Sequence, residues 1–168
     1  MKKFLSCLLI VVVVVSCRVS YSFRGTSIDY NIYKTIDIRD FQNQASLVYP
    51  ALIQLFNEHI KDVYTRNTKL QQVTNQVANM ELEGEIVRYD LSPLAVQENA
   101  IAAQTRLTMS VRVRFVDNVN PANDKEETFT AYRDFDSSKM LDEVQDDLVE
   151  QLNKDIVDQI FNATMSNW

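Results

Sequence analysis

The chain has 168 residues, 46% of them hydrophobic and 24% charged, with 23 acidic side chains against 17 basic ones and a formal charge of −6. An acidic balance excludes a general nucleic-acid binder, which needs a basic face to displace counterions. The two glycines, Gly25 and Gly84, lie far apart, so no clustered glycines exist for a phosphate-cradling loop, a dinucleotide fingerprint or a nucleophile elbow.

The first stretch is a targeting signal. Met1-Lys2-Lys3 is basic, residues 4–15 are almost continuously apolar, and Ser16 is small. A basic start, a short apolar run and a small residue before a cut describe a secretory signal peptide. The run is shorter than the about 20 residues that span a bilayer. Val14-Val15-Ser16-Cys17 resembles the bacterial lipobox at every position. Such signals are cut between Ser16 and Cys17, and the Cys17 thiol takes a diacylglycerol anchor. Cys7 leaves with the signal and Cys17 is consumed by lipid, so the mature chain keeps no thiol for a disulfide or a cysteine metal site. The expected organisation is a signal peptide at 1–16, a lipidated leader at 17–31 and a single domain at 32–168.

Within that domain residues 32–41 alternate, with Ile32, Lys34, Ile36 and Ile38 on one parity, which predicts a strand with one buried face. Residues 41–44 read as a turn. Ser46 is placed to cap a helix that tolerates Pro50 in its first turn. Its apolar positions are Val48, Leu52, Leu55, Phe56, Ile60 and Val63. Residues 67–79 form a polar connector. A second strand follows on Met80, Leu82, Gly84 and Ile86, and a third on Leu107, Met109, Val111, Val113 and Phe115. The loop 117–123, rich in Asn, Asp and Pro, leads to a fourth strand at 127–135. Ser137 or Ser138 then caps a long helix with a stripe of Leu141, Val144, Leu148, Leu152, Ile156 and Ile160. The order is β-α-β-β-β-α. Since each strand has one apolar face, the expected fold is a two-layer α+β domain, a four-stranded sheet with both helices on one side. The other side stays polar and open.

Little here suggests catalysis. His59, the single histidine, sits among Phe56, Ile60 and Val63 with no HExxH context, as a half-buried helix residue does. Asp134 and Asp136 share a face, as an acid/base pair would, yet they share it with Arg106, Arg112 and Arg114, where cross-strand charge pairing is ordinary. We therefore expect no enzyme and no metal. Two features remain as binding candidates. The Arg106, Arg112, Arg114 row on the open face has the chemistry for a phosphate-bearing amphiphile. It also has the pattern for simple pairing with Glu81, Glu83, Asp134 and Asp136. The segment 91–103, with Leu91, Leu94, Val96 and Ile101 and one charge, is long for a hairpin loop and apolar enough for partner contact.

Cys17 with its lipobox, an aromatic leader containing Phe23-Arg24-Gly25, and Lys34-Thr35-Ile36-Asp37-Ile38-Arg39-Asp40-Phe41-Gln42-Asn43 together resemble the LptE family. The likeness runs from Cys17 to Trp168. It is similar to the Bacteroidota branch in the stretch 128–135 and in Ile160-Phe161-Asn162-Ala163. Arg18-Val19-Ser20 departs from it, standing where a glycine commonly follows the lipidated cysteine. The resemblance implies an outer-membrane lipoprotein that plugs the LptD β-barrel and helps pass lipopolysaccharide to the surface, without catalysis or cofactor. Its partners would be that barrel, lipopolysaccharide and, through the lipid anchor, the membrane. The competing class is a free-standing periplasmic lipoprotein that binds another envelope component. Residues 17–28 carry no acidic side chain, unlike the surface-directed lipoproteins of that branch, which favours the periplasmic leaflet.

Overall fold

The computed structural model describes residues 28–74, 76–94 and 103–165. The signal segment, Cys17, the leader up to Ser27, Val96 and Ile101 lie outside the described residues. The elements are β1 (Thr35–Ile38), β2 (Gln42–Asn43), α1 (Pro50–Asn67), β3 (Gln71–Val73), β4 (Met80–Pro93), β5 (Gln104–Asp117), a 3₁₀ turn at Pro121–Asn123, β6 (Lys125–Asp136) and α2 (Leu141–Met165).

The α+β class is as expected, but the described sheet has six strands rather than four. Its order is β3-β1-β4-β5-β6, with β2 paired to β4. The two additions are short. β3 falls in the polar connector, where Gln71, Gln72 and Val73 pair in parallel with Thr35, Ile36 and Asp37. Polar residues suit an edge strand of this length, since one side of the ladder meets water. β2 replaces the expected turn, with Gln42 and Asn43 in parallel register with Glu85 and Ile86. β1 and β4 also run parallel, so α1 lies on the crossover between them, while β4, β5 and β6 form an antiparallel meander.

The buried apolar side chains form one cluster joining both helices to the inward face of the sheet. In β5 the expected residues, Leu107 to Phe115 on odd positions, are all buried. In β4 the alternation from Met80 through Ile86 is interrupted by a bulge between Ile86 and Arg88. The extra residue lets Tyr89 point inward after Ile86, where strict period two would have buried Arg88. Tyr89 is buried and its hydroxyl accepts a hydrogen bond from Gln145 Nε2 of α2 at 2.8 Å.

Both helices begin later than the caps expected from sequence. Tyr49 precedes α1 and gives no side-chain cap, and Pro50 occupies the first turn, where its missing N–H has no intrahelical partner to lose. Ser46 is not the cap. The buried face is Leu52, Phe56, Ile60 and Tyr64, and Val48 and Leu55, both expected inside, are exposed. Val48 lies before the helix, and Leu55 is rotated off the buried row. Ahead of α2, Ser137 Oγ hydrogen-bonds Thr105 Oγ1 and the Ser138 N–H donates to Asp136, so neither serine caps. Instead the Met140 N–H donates to the Glu143 carboxylate at 3.3 Å, half of a capping box. The α2 stripe is buried from Leu148 to Ile160, widened by Val149 and Val157.

A buried carboxylate knots the end of the sheet where β1 and β4 begin. Asp117, fully buried, accepts hydrogen bonds from the Tyr33 hydroxyl (3.0 Å), Asn123 Nδ2 (2.9 Å) and the Val119 and Asn120 N–H groups. Burial, then the hydrogen bond and charge of Asp117, push the Tyr33 phenol up to about 12.

Candidate functional site

Period two brings the charged side chains of β4, β5 and β6 onto the face opposite the helices, and the register decides which of them meet. Glu83 stands beside Arg114, Glu85 beside Arg112 and Asp134 beside Arg106. Each becomes an ion pair: Arg114 Nη1 to Glu83 at 3.2 Å, Arg112 Nη2 to Glu85, and Arg106 to Asp134. The carboxylates were thus named only in part from sequence, since Glu85 takes a place expected for Asp136. Glu81 instead pairs with Arg39 at 2.8 Å, and Arg39 also reaches Glu83 at 2.6 Å.

The three arginines of the row are not equivalent. Arg106 is clamped: Nε and Nη2 donate to the two oxygens of Asp134 at 2.7 and 2.9 Å, and its guanidinium lies 3.7 Å over the Tyr132 ring. A bidentate, stacked arginine is pre-organised and has little reason to leave. Arg112 and Arg114 each make one carboxylate hydrogen bond, with side chains 53% and 61% exposed. A guanidinium has five N–H donors, so both keep capacity for a further acceptor. With Arg39 and Glu126 they border a shallow groove of about 430 Å³ on the open face. Arg39 was absent from the row expected by sequence. Its signal is its place just beyond β1, whose neighbour β4 supplies Glu81 and Glu83.

The carboxylate pair considered for acid/base work is engaged otherwise. The Arg106 hydrogen bond holds Asp134 below the usual carboxylate range. The Ser138 backbone N–H does the same for Asp136. Both are therefore ionised near neutral pH, which suits charge pairing and not proton donation. His59 is half-buried on α1 and borders a groove between the helices. Among the described residues no group of three or more His, Cys, Asp or Glu is placed to hold a metal. Among them, too, no helix is long and apolar enough to cross a membrane.

The apolar segment 91–103 is shorter as a loop than its sequence predicts. β4 continues through Leu91, Ser92 and Pro93, paired with Leu107, Arg106 and Thr105, and the Leu94 N–H still donates to the Gln104 carbonyl at 2.9 Å. Leu91 is a strand residue, 41% exposed, and Leu94 is half-buried at the root of the hairpin. The bulge hid this extension, because it breaks the alternation from which the strand was read.

With this geometry in place, the chain can be set against known proteins. The model of the family described as LptE, lipopolysaccharide-assembly, matches residues 33–164. A hypothetical protein from Chlamydia trachomatis has a similar structure, with 12% identity and a TM-score of 0.55, over 80% of this chain and 99% of that one. A protein from Xanthomonas campestris has the same TM-score at 9% identity, over 80% and 85% of the two chains. An uncharacterized lipoprotein B from Nitrosomonas europaea is similar at 16% identity and a TM-score of 0.50, over 76% and 79%. At such identities the likeness concerns the fold alone. No curated protein gives a significant match.

Proposed function

The chain belongs to the LptE family, and so has a role in lipopolysaccharide assembly; from that premise we propose that it is an outer-membrane lipoprotein acting as the accessory plug of an LptD-type β-barrel. The observation that carries this reading is the family match over nearly the whole folded domain, preceded in sequence by Val14-Val15-Ser16-Cys17. A plug acts by shape and surface, and the open sheet face offers such a surface in its ion-paired rows. No catalysis and no cofactor enter the proposal. Leu91 and Leu94 of the β4–β5 hairpin form the proposed barrel contact, together with Val96 and Ile101, which lie outside the described residues.

Within the same proposal Arg112 and Arg114 take lipopolysaccharide phosphate with the donors that Glu85 and Glu83 leave open, and Arg106 holds the sheet face in shape. Anchored through Cys17, the protein would sit at the periplasmic leaflet. The test is coexpression of the full-length chain with its candidate barrel. The expected result is copurification, diminished by Leu94→Asp. Arg112→Gln with Arg114→Gln should weaken lipopolysaccharide binding with little change in Tm, since exposed pairs of this kind contribute little to stability. Recovery of the wild-type protein free of any barrel would leave the free-standing envelope lipoprotein as the better reading.

A further inference from the structure

The charge of this protein is divided unequally between its two faces. On the sheet, cations and carboxylates alternate and pair. On the helix side the balance is acidic: α2 carries seven acidic side chains and one lysine, Lys154, with Asp158 paired to that lysine at 2.7 Å and Asp155 to Arg133 of β6 at 2.6 Å. Between α1 and α2 this acidic face opens into a groove of about 790 Å³. Leu55, Glu58, His59 and Asp62 of α1 form one wall, and Asp146 and Glu150 of α2 form the other; among the described residues no lysine or arginine borders it.

The groove has unmet polar capacity. Glu150 has no partner among the described residues, and Glu58 accepts only from the neutral Gln54 amide at 2.9 Å. Asn153, which also borders the groove, is 2% exposed, and its Oδ1 has no hydrogen-bond partner. A buried carbonyl oxygen without a donor is costly unless something supplies one. Leu55 adds an apolar contact point, 41% exposed where a helix facing solvent would carry a polar residue. Asp62 is paired with Arg66 at 2.7 Å and Asp146 accepts from the Tyr49 hydroxyl at 2.5 Å, so Glu58 and Glu150 carry the uncompensated charge, which disfavours phosphate and anionic lipid on this side. A small metal cation is also unsuited, because these carboxylates do not converge as ligands.

We propose that the groove between the helices docks a basic segment of the protein partner, a stretch that sets lysine or arginine against Glu58 and Glu150 and an aliphatic side chain on Leu55. This rests on the barrel-plug reading, in which the partner is the inner surface of the barrel. It gives the plug an orientation, with helices against the barrel and the arginine-bearing sheet face toward lipopolysaccharide. Charge complementarity of this kind fixes register and suppresses wrong partners.

The experiment is copurification of the full-length chain with a tagged barrel. Glu58→Lys combined with Glu150→Lys reverses two exposed charges that hold nothing in the core. The complex recovered should fall about tenfold or more while Tm stays at the wild-type value. Glu58→Gln with Glu150→Gln should lose less, and raised salt should weaken the wild-type complex. Recovery of the Lys variant at wild-type yield overturns the proposal. In otherwise unchanged protein, a photo-crosslinking residue at Leu55 should capture a barrel peptide containing Lys or Arg. Capture of a second copy of this chain, or of no protein, overturns it also. Absence of the wild-type chain from the barrel preparation would instead remove the plug reading itself, which separates the two failures.

Discussion

Gly84 shows how a single position can be visible in a sequence while its purpose is not. Its parity places it on the inward face of β4 with Met80, Leu82 and Ile86. What fills the space above it is the Phe41 ring, forty-three positions earlier in the chain and read from sequence as part of a turn. Phe41 is buried against Phe56, ring centroids 5.1 Å apart. Asn57 of α1 fixes its backbone by accepting from the Phe41 N–H at 2.8 Å and donating to its carbonyl at 3.2 Å. A methyl group on Gly84 would lie 2.5 Å from Phe41 Cε1 and nearer still to the Arg112 carbonyl oxygen. One obstacle is a rigid ring and the other is backbone, so neither yields easily. Gly84→Ala should therefore destabilise the domain by roughly 1–3 kcal/mol or more, the usual cost of overpacking. Chemical denaturation is the measurement, and an unchanged midpoint would mean that Phe41 does not occupy this space. The arginines teach the converse. Their shared face was legible at once from period two, but whether each was clamped like Arg106 or half-free like Arg112 depended on strand register, which a single strand does not encode.

At the scale of elements, long periodic segments were readable and short ones were not. The apolar residues of β5 alternate from Leu107 to Phe115, and the stripe of α2 recurs from Leu141 to Ile160, about five turns, so burial of one face dominates the local preference in both. β2 and β3 are two and three residues long and carry Gln and Asn, with too few positions for any period and stability drawn from neighbours. The bulge in β4 is a related failure: one inserted residue ends a pattern that in truth continues to Pro93. On α1 the apolar set was right in type but misassigned in part, since Leu55 and Val48 face outward while Tyr64 is buried. Tyr64 escaped because its hydroxyl reads as polar; inside, it meets Thr164 Oγ1 at 2.5 Å, and burial raises its pKa well above the ordinary phenol. These assignments predict unequal effects. Leu152→Ala in α2, at a fully buried position, should cost about 2–5 kcal/mol through lost burial and the cavity left behind. Leu55→Ala should change stability by less than about 0.5 kcal/mol, as surface substitutions do. Comparable losses at the two positions, measured by denaturant melts, would show that the helix is rotated from the face described here.

At the scale of the whole molecule, the folded domain and the proposed anchor at Cys17 are separable in sequence and should be separable in experiment. The buried core begins with Ile28, eleven positions after Cys17. Fully extended, that leader spans roughly 36–40 Å, enough to let the domain reach into a neighbouring protein while its lipid stays in the membrane. Two or three acyl chains would hold it there, at ~0.8 kcal/mol for each buried CH₂. The function of such a tether is concentration: a protein confined to the membrane surface meets a barrel in that membrane far more often than a free one does. Cys17→Ala should therefore abolish incorporation of labelled fatty acid and leave an uncut precursor, detected by intact mass. If the domain is expressed without its signal, Tm should match that of the mature protein, because no described core residue lies before Ile28. Barrel copurification of this untethered form should fall at native expression and return at high expression, as loss of effective concentration requires. Normal labelling of Cys17→Ala would end the lipoprotein assignment. A loss of copurification that overexpression does not restore would mean that the leader or its lipid makes a direct barrel contact and does more than tether.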